Sequence, residues 1–225
     1  MKKLHLRKHQ AVRIVCTLII LLVLSSIIPV QTASAGNDTW TNLGLLGASI
    51  SAIAVNPNNP QELLAGISGY NSNVIYRSTN GGTSWVLSNS GLPVSVSDCG
   101  DIAYDVNNSN IVYAATGVGM YKSLNSGLSW QQVGPLTRFG DVEVDPTNGN
   151  IVYARASNNI NGVLKTIDGG STWVSILDGS AIGNFSVNIK VAPSAPYIIY
   201  VSTETGLYKS IDSGQTWKYA DGGFY

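Results

Sequence analysis

The feature that most constrains this chain is an eight-residue pattern that occurs four times. Its form is Ser/Thr-x-Asp/Asn-x-Gly-x-Ser/Thr-Trp, and it stands at Ser78–Trp85, Ser123–Trp130, Thr166–Trp173 and Ser210–Trp217. The closing tryptophans recur every 43–45 residues. A period in the forties belongs to repeats that cannot bury a hydrophobic face alone and therefore stack on their neighbours, as propeller blades do. Apolar residues lead into each copy: Val74-Ile75-Tyr76, Met120-Tyr121, Val163-Leu164 and Leu207-Tyr208. Two apolar runs flanking a short polar loop read as a hairpin. Inside the loop, Asn80, Asn125, Asp168 and Asp212 are expected to accept a backbone N–H two residues on, as an Asx-turn. Gly82, Gly127, Gly170 and Gly214 stand where the hairpin needs a left-handed residue. Ser78, Ser123, Thr166 and Ser210 bond the turn carboxylate or amide, and Trp85, Trp130, Trp173 and Trp217 pack large rings beside it. The pattern reads as a fold staple and not as a ligand site.

Each copy closes a longer unit. The innermost strands are expected at Ser51–Val55, Asp101–Tyr104, Asp141–Val144 and Asn188–Val191. Turns rich in Asn and Pro follow at residues 56–60, 145–149 and 192–196, and then second strands at Glu62–Ile67, Ile111–Thr116, Ile151–Ala156 and Tyr197–Thr203. With the hairpin, that makes four strands per repeat and no helical periodicity after residue 36. The fold class is all-β, with four-stranded blades packed as in a propeller.

These residues resemble the Asp-box, or bacterial neuraminidase repeat, and the resemblance spans Trp40 to Trp217. The box occurs in sialidases, xyloglucan-cleaving endoglucanases, sortilin-type receptors and photosystem assembly factors, so it implies a β-propeller and says little about activity. It also implies that the boxes lie on the outer rim. Thr39-Trp40 and Leu43-Gly44-Leu45 copy the end of a repeat, one period before Trp85. Trp40 and Trp217 then compete for one closing slot. The expectation is an incomplete larger ring, with a compact four-bladed ring as the alternative.

Met1 to Ala35 reads as a secretory leader: Lys2, Lys3, Arg7 and Lys8 are basic, Val15 to Val30 is apolar, and Ala33-Ser34-Ala35 is a cleavage pattern. The expected domains are the leader, 1–35, and the repeats, 36–225, in a secreted protein. Both histidines, His5 and His9, and Cys16 fall within the leader, leaving Cys99 alone. Histidine-based nucleophilic catalysis and a zinc site of the usual kind are thereby excluded, and no metal or other cofactor is expected. Cys99 reads as buried. Five of the 13 cationic residues also leave, so eight face 13 acidic ones, a net charge of −5. That argues against nucleic acid and, after cleavage, against an anionic membrane as partner.

Candidate sites lie on the inner strands. Ala52, Asp101, Asp141 and Asn188 share one position, and Ala54, Ala103, Glu143 and Lys190 the position two residues on. Glu143 and Lys190 are expected to pair. Asp101 and Asp141 are the constellation with catalytic shape, since inverting glycosidases need two carboxyl groups roughly 6.5–9.5 Å apart. The plainer reading is that both bond backbone amides at strand starts. Arg138, Arg155 and Asn188 are candidate binding residues. Arg77 precedes its box as Lys122, Lys165 and Lys209 precede theirs, so it belongs to the rim, and too few arginines remain for the three that the sialidase resemblance requires. Tyr70, Tyr219, Phe224 and Tyr225 suit either sugar stacking or an open blade edge. The reading is a secreted non-catalytic module binding protein or glycan, with self-association through an open blade edge. The alternative is a glycoside hydrolase, or part of one, using Asp101 and Asp141.

Overall fold

The structure is a computed structural model and describes residues 44, 45, 47–69, 74–157, 162–182 and 188–220. The leader and the expected strand at Trp40 lie outside the described residues, as do Tyr70, Phe224 and Tyr225. Four antiparallel four-stranded sheets follow one another along the chain. Blade 1 holds β1 (Ser49–Val55), β2 (Leu63–Ser68), β3 (Ile75–Ser78) and β4 (Val86–Leu87). Blade 2 holds β5 (Cys99–Tyr104), β6 (Val112–Thr116), β7 (Gly119–Ser123) and β8 (Gln131–Val133). Blade 3 holds β9 (Arg138–Val144), β10 (Val152–Ser157), β11 (Gly162–Thr166) and β12 (Val174–Asp178). Blade 4 holds β13 (Asn188–Val191), β14 (Ile199–Thr203), β15 (Gly206–Ser210) and β16 (Lys218–Tyr219). Strand order within each sheet is sequential, and the first strands β1, β5, β9 and β13 neighbour one another from blade to blade. This is a propeller arc, as the repeat period requires. A short helix, α1 (Gly179–Ile182), corrects the expectation of no helix; Asp178 starts it by accepting the Ser180 N–H at 2.9 Å.

The hydrophobic core lies between blades. Among the described residues, three interfaces join successive blades, one side of a sheet packing on the next. Ala52, Ala54, Leu64 and Ile75 of blade 1 meet Ile102, Tyr104, Val112 and Tyr121 of blade 2. Tyr113, Ala115 and Met120 then meet Phe139, Val142, Ala154 and Leu164, and Tyr153 and Val163 meet Ile189, Val191, Ile199 and Val201. Each fully buried side chain of this size contributes about 1.5–3 kcal/mol. Cys99 is buried in the first of these interfaces, where burial pushes its thiol up and keeps it protonated.

The repeated turn works by a slightly different bond set from the expected one. Each leading hydroxyl donates to its Asx side chain, at 2.9 Å in Ser78 and Ser123 and 2.7 Å in Thr166 and Ser210. The same oxygen accepts the N–H of the turn glycine, at 2.8–3.0 Å. The Asx oxygen, however, accepts the N–H four residues on, at Ser84, Ser129, Thr172 and Thr216, and not two. The N–H two residues on is that of the turn glycine, which the leading hydroxyl already accepts. That shorter turn appears instead after the inner strands, where Asn56, Asp105 and Asp145 accept from Asn58, Asn107 and Thr147. In Asp168 and Asp212 the bonds from Thr172 and Thr216 hold the carboxyl at about 2.

Gly82, Gly127, Gly170 and Gly214 take φ of 87°, 82°, 100° and 87°, as expected. The residue before each is left-handed as well, including the non-glycines Ser126 (55°) and Ser213 (59°). A Cβ on Gly214 would also stand 2.6 Å from Ile176 Cδ1 of blade 3. Gly214→Ala is therefore expected to lower stability by about 1 kcal/mol or more, read as a lower melting temperature. An unchanged melting temperature would count against a strained φ at this position.

Candidate functional site

The inner strands carry the expected carboxylates, and a repeated β-bulge aims them. Pairing shifts register between Ile50 and Ala52 in β1, between Cys99 and Asp101 in β5, and opposite the Arg155/Ala156 step in β9. Bulges of this kind re-aim the next side chain. Gly100 and Gly140 stand at two of them because the strands come very close there. A Cβ on Gly100 would lie 2.8 Å from the Gly140 carbonyl oxygen, and one on Gly140 would collide with the Arg155 guanidinium.

Asp101 and Asp141 are thus turned toward the following blade. Asp101 accepts the Ile102 N–H at 2.9 Å and the Val142 N–H at 3.2 Å. Asp141 accepts the Ile189 N–H at 2.5 Å. Both bond backbone amides, the plainer of the two roles expected of them. The amide partners across the blade boundary belong to the neighbouring strand, so each carboxylate fastens two blades together. Burial, followed by the bond to Asp101 and its charge, pushes the Asp141 carboxyl up to about 7 from 3.8.

The remaining candidates gather around this pair. Arg155 sits opposite Asp141 in the β9–β10 ladder, and the Asp141 charge favours its cation against burial. Its Nε has no partner among the described residues. Lys190 and Glu143 pair at 2.8 Å as expected, and Glu143 also accepts the Val191 N–H at 3.4 Å. Arg138 bridges Asp98 at 2.5 Å and Asn188 opens β13, exposed. Asp98 holds the repeat position of Arg138, three residues before the inner-strand aspartate, and the sequence pattern alone did not single it out. Arg77 lies on the rim as expected, bonded to the Ser126 carbonyl at 3.1 Å and to Glu62 at 3.1 Å. Of the aromatics expected at an open edge, Tyr219 is exposed on β16, its ring edge-on to Tyr208 at 5.4 Å.

The raised Asp141 carboxyl has a sign in folding. The folded chain holds a proton on Asp141 that the unfolded chain releases near 3.8. This contribution to stability is complete below about pH 4 and is lost as pH rises through about 7. Melting temperature should therefore fall from pH 4 to pH 7 more steeply in the parent than in Asp141→Asn. Equal slopes would show that the Asp141 carboxyl is not raised in the folded chain.

No family profile matches the sequence. Among curated proteins, the xyloglucanase of Hypocrea jecorina (strain QM6a) is 29% identical over 203 residues, covering 82% of this chain and 22% of its own length. The chain therefore spans about a fifth of that relative. Among solved structures, an ancestral GH74 enzyme superposes with a TM-score of 0.66 at 22% identity, covering 83% of this chain and 26% of its own. The GH74 xyloglucanase from Xanthomonas campestris gives 0.67 at 17%, over 79% of this chain and 31% of its own. YCF48 from Cyanidioschyzon merolae gives 0.59 at 11%, over 80% and 59%. At these identities the structures share the propeller fold with this chain.

Proposed function

We propose that this chain is a propeller portion of a glycoside-hydrolase scaffold, exported from the cell and directed at xyloglucan or a related β-glucan. The observation that carries this reading is the likeness to the Hypocrea jecorina xyloglucanase over most of the chain. It moves the weight from a non-catalytic module of unspecified ligand to the hydrolase alternative. Neutral sugars suit the chain's chemistry, since glycan hydroxyls need hydrogen-bonding groups and not a charged groove. Arg155, Arg138, Asn188 and Lys190 supply such groups around the inner strands.

Within this scaffold the Asp101–Asp141 pair serves first as a fastener. Its oxygens already accept amides from the next blade, which supports a structural role for both carboxylates. A second reading, with Asp141 as a general acid, rests on its raised protonation range. The two readings separate in one experiment. The exported chain is tested for retardation in xyloglucan-containing gels and for release of reducing ends from xyloglucan oligosaccharide, beside Asp101→Asn and Asp141→Asn. Expected are retardation by xyloglucan in all three proteins and no turnover that depends on either aspartate. Failure of xyloglucan to retard the parent would remove the glycan reading. Parent turnover lowered by about two to four orders of magnitude in one mutant, at unchanged melting temperature, would instead place the chemistry on the pair.

A further inference from the structure

The three internal blade boundaries are built alike, and the two outer faces of the arc carry the same parts without a partner blade among the described residues. At each boundary a cation just before the turn ends on a backbone carbonyl of the next blade's turn. Arg77 Nε donates to Ser126, Lys122 Nζ to Gly169 at 3.2 Å, and Lys165 Nζ to Ser213 at 2.9 Å. Lys122 and Lys165 reach across Tyr113 and Tyr153, 5.1 and 5.3 Å from the ring centroids. Blade 4 repeats the donor half: Lys209 lies 5.4 Å from the centroid of Tyr200. Blade 1 repeats the acceptor half, since Gly81 holds the turn position of Ser126, Gly169 and Ser213 and is left-handed like them.

The apolar parts match too. Ile75, Met120 and Val163 are fully buried against the following blade, whereas Leu207, their counterpart in blade 4, is 36% exposed. Ile102, Val142 and Ile189 are buried against the preceding blade, whereas their counterpart Ile53 is 64% exposed and Val55 is 52% exposed. Asn188 stands where Asp101 and Asp141 receive amides from the next blade, and Ile53 stands where Val142 and Ile189 donate them.

We propose that a second copy of this chain docks head to tail, the Leu207–Lys209 face of blade 4 in one copy seating on the Ile53–Val55 face of blade 1 in the other. The charge complementarity is that of the internal boundaries, with the Lys209 ammonium ending on the Gly81 carbonyl of the partner. Such a contact is heterologous, and it closes when the accumulated rotation completes a circle. Two four-blade arcs fall at the upper end of the roughly four-to-eight-blade range of propellers, so the product is a closed dimer. The inference rests on blade packing and is independent of the glycan reading.

Sedimentation of the chain recovered from a secreting host should give twice the chain mass. Ile53→Glu and Leu207→Glu, both at exposed positions, should each be monomeric with the parent's circular dichroism. Their equimolar mixture should regain the dimer, because one copy supplies an intact blade 1 face and the other an intact blade 4 face. A monomeric parent, a dimer indifferent to Leu207→Glu, or a mixture that stays monomeric would overturn the proposal. Open polymers of the parent would overturn closure into a dimer.

Discussion

Each blade of this protein is held to the next by a bond from a rim cation to a carbonyl that only a left-handed turn presents. Two consecutive residues with positive φ turn the backbone outward at Ser126-Gly127, Gly169-Gly170 and Ser213-Gly214. The first carbonyl of each pair then meets Arg77, Lys122 or Lys165 of the preceding blade. Burial costs the two lysines part of their hydration, and the ring beneath each and the carbonyl ahead offset that cost. The turn's own serine or threonine keeps the left-handed pair in place by accepting the glycine N–H. Local backbone geometry and blade stacking are therefore one device.

The inner strands repeat the principle with the opposite charge. Asp101 and Asp141 reach across the boundary and accept amides of the next inner strand, and the glycine bulge before each gives the strands room to approach. Fastening the rim with cations and the inner end with carboxylates places these polar contacts on either side of the apolar residues. It also concentrates titratable groups at the inner end. The raised protonation range of Asp141 follows from its burial between blades and then from Asp101 on the neighbouring inner strand.

Much of this was readable from the chain alone. Four copies of one pattern at a constant period dictate four equivalent hairpins, and period-two alternation in Asp141–Val144 or Asn188–Val191 dictates which side chains enter the core. Turn glycines, the Glu143–Lys190 pair and the rim position of Arg77 all follow from comparing a repeat with its neighbours. These are local or translationally repeated properties, and a repeated sequence displays them directly.

The tertiary structure alone decided what happens across boundaries. Sequence places Asp101 and Asp141 at equivalent positions but does not say what they bond; blade stacking sets each against an amide of the next inner strand and buries Asp141 so that its carboxyl is raised. The pairing of Arg138 with Asp98 joins equivalent positions of two successive repeats, a contact between opposite charges that appears only once the blades are stacked. Exposure of Ile53 and Leu207, against burial of every counterpart, is equally invisible in a pattern that treats the four repeats alike. Periodicity sets the composition of an interface, whereas the rotation accumulated from blade to blade sets which of its faces finds a partner.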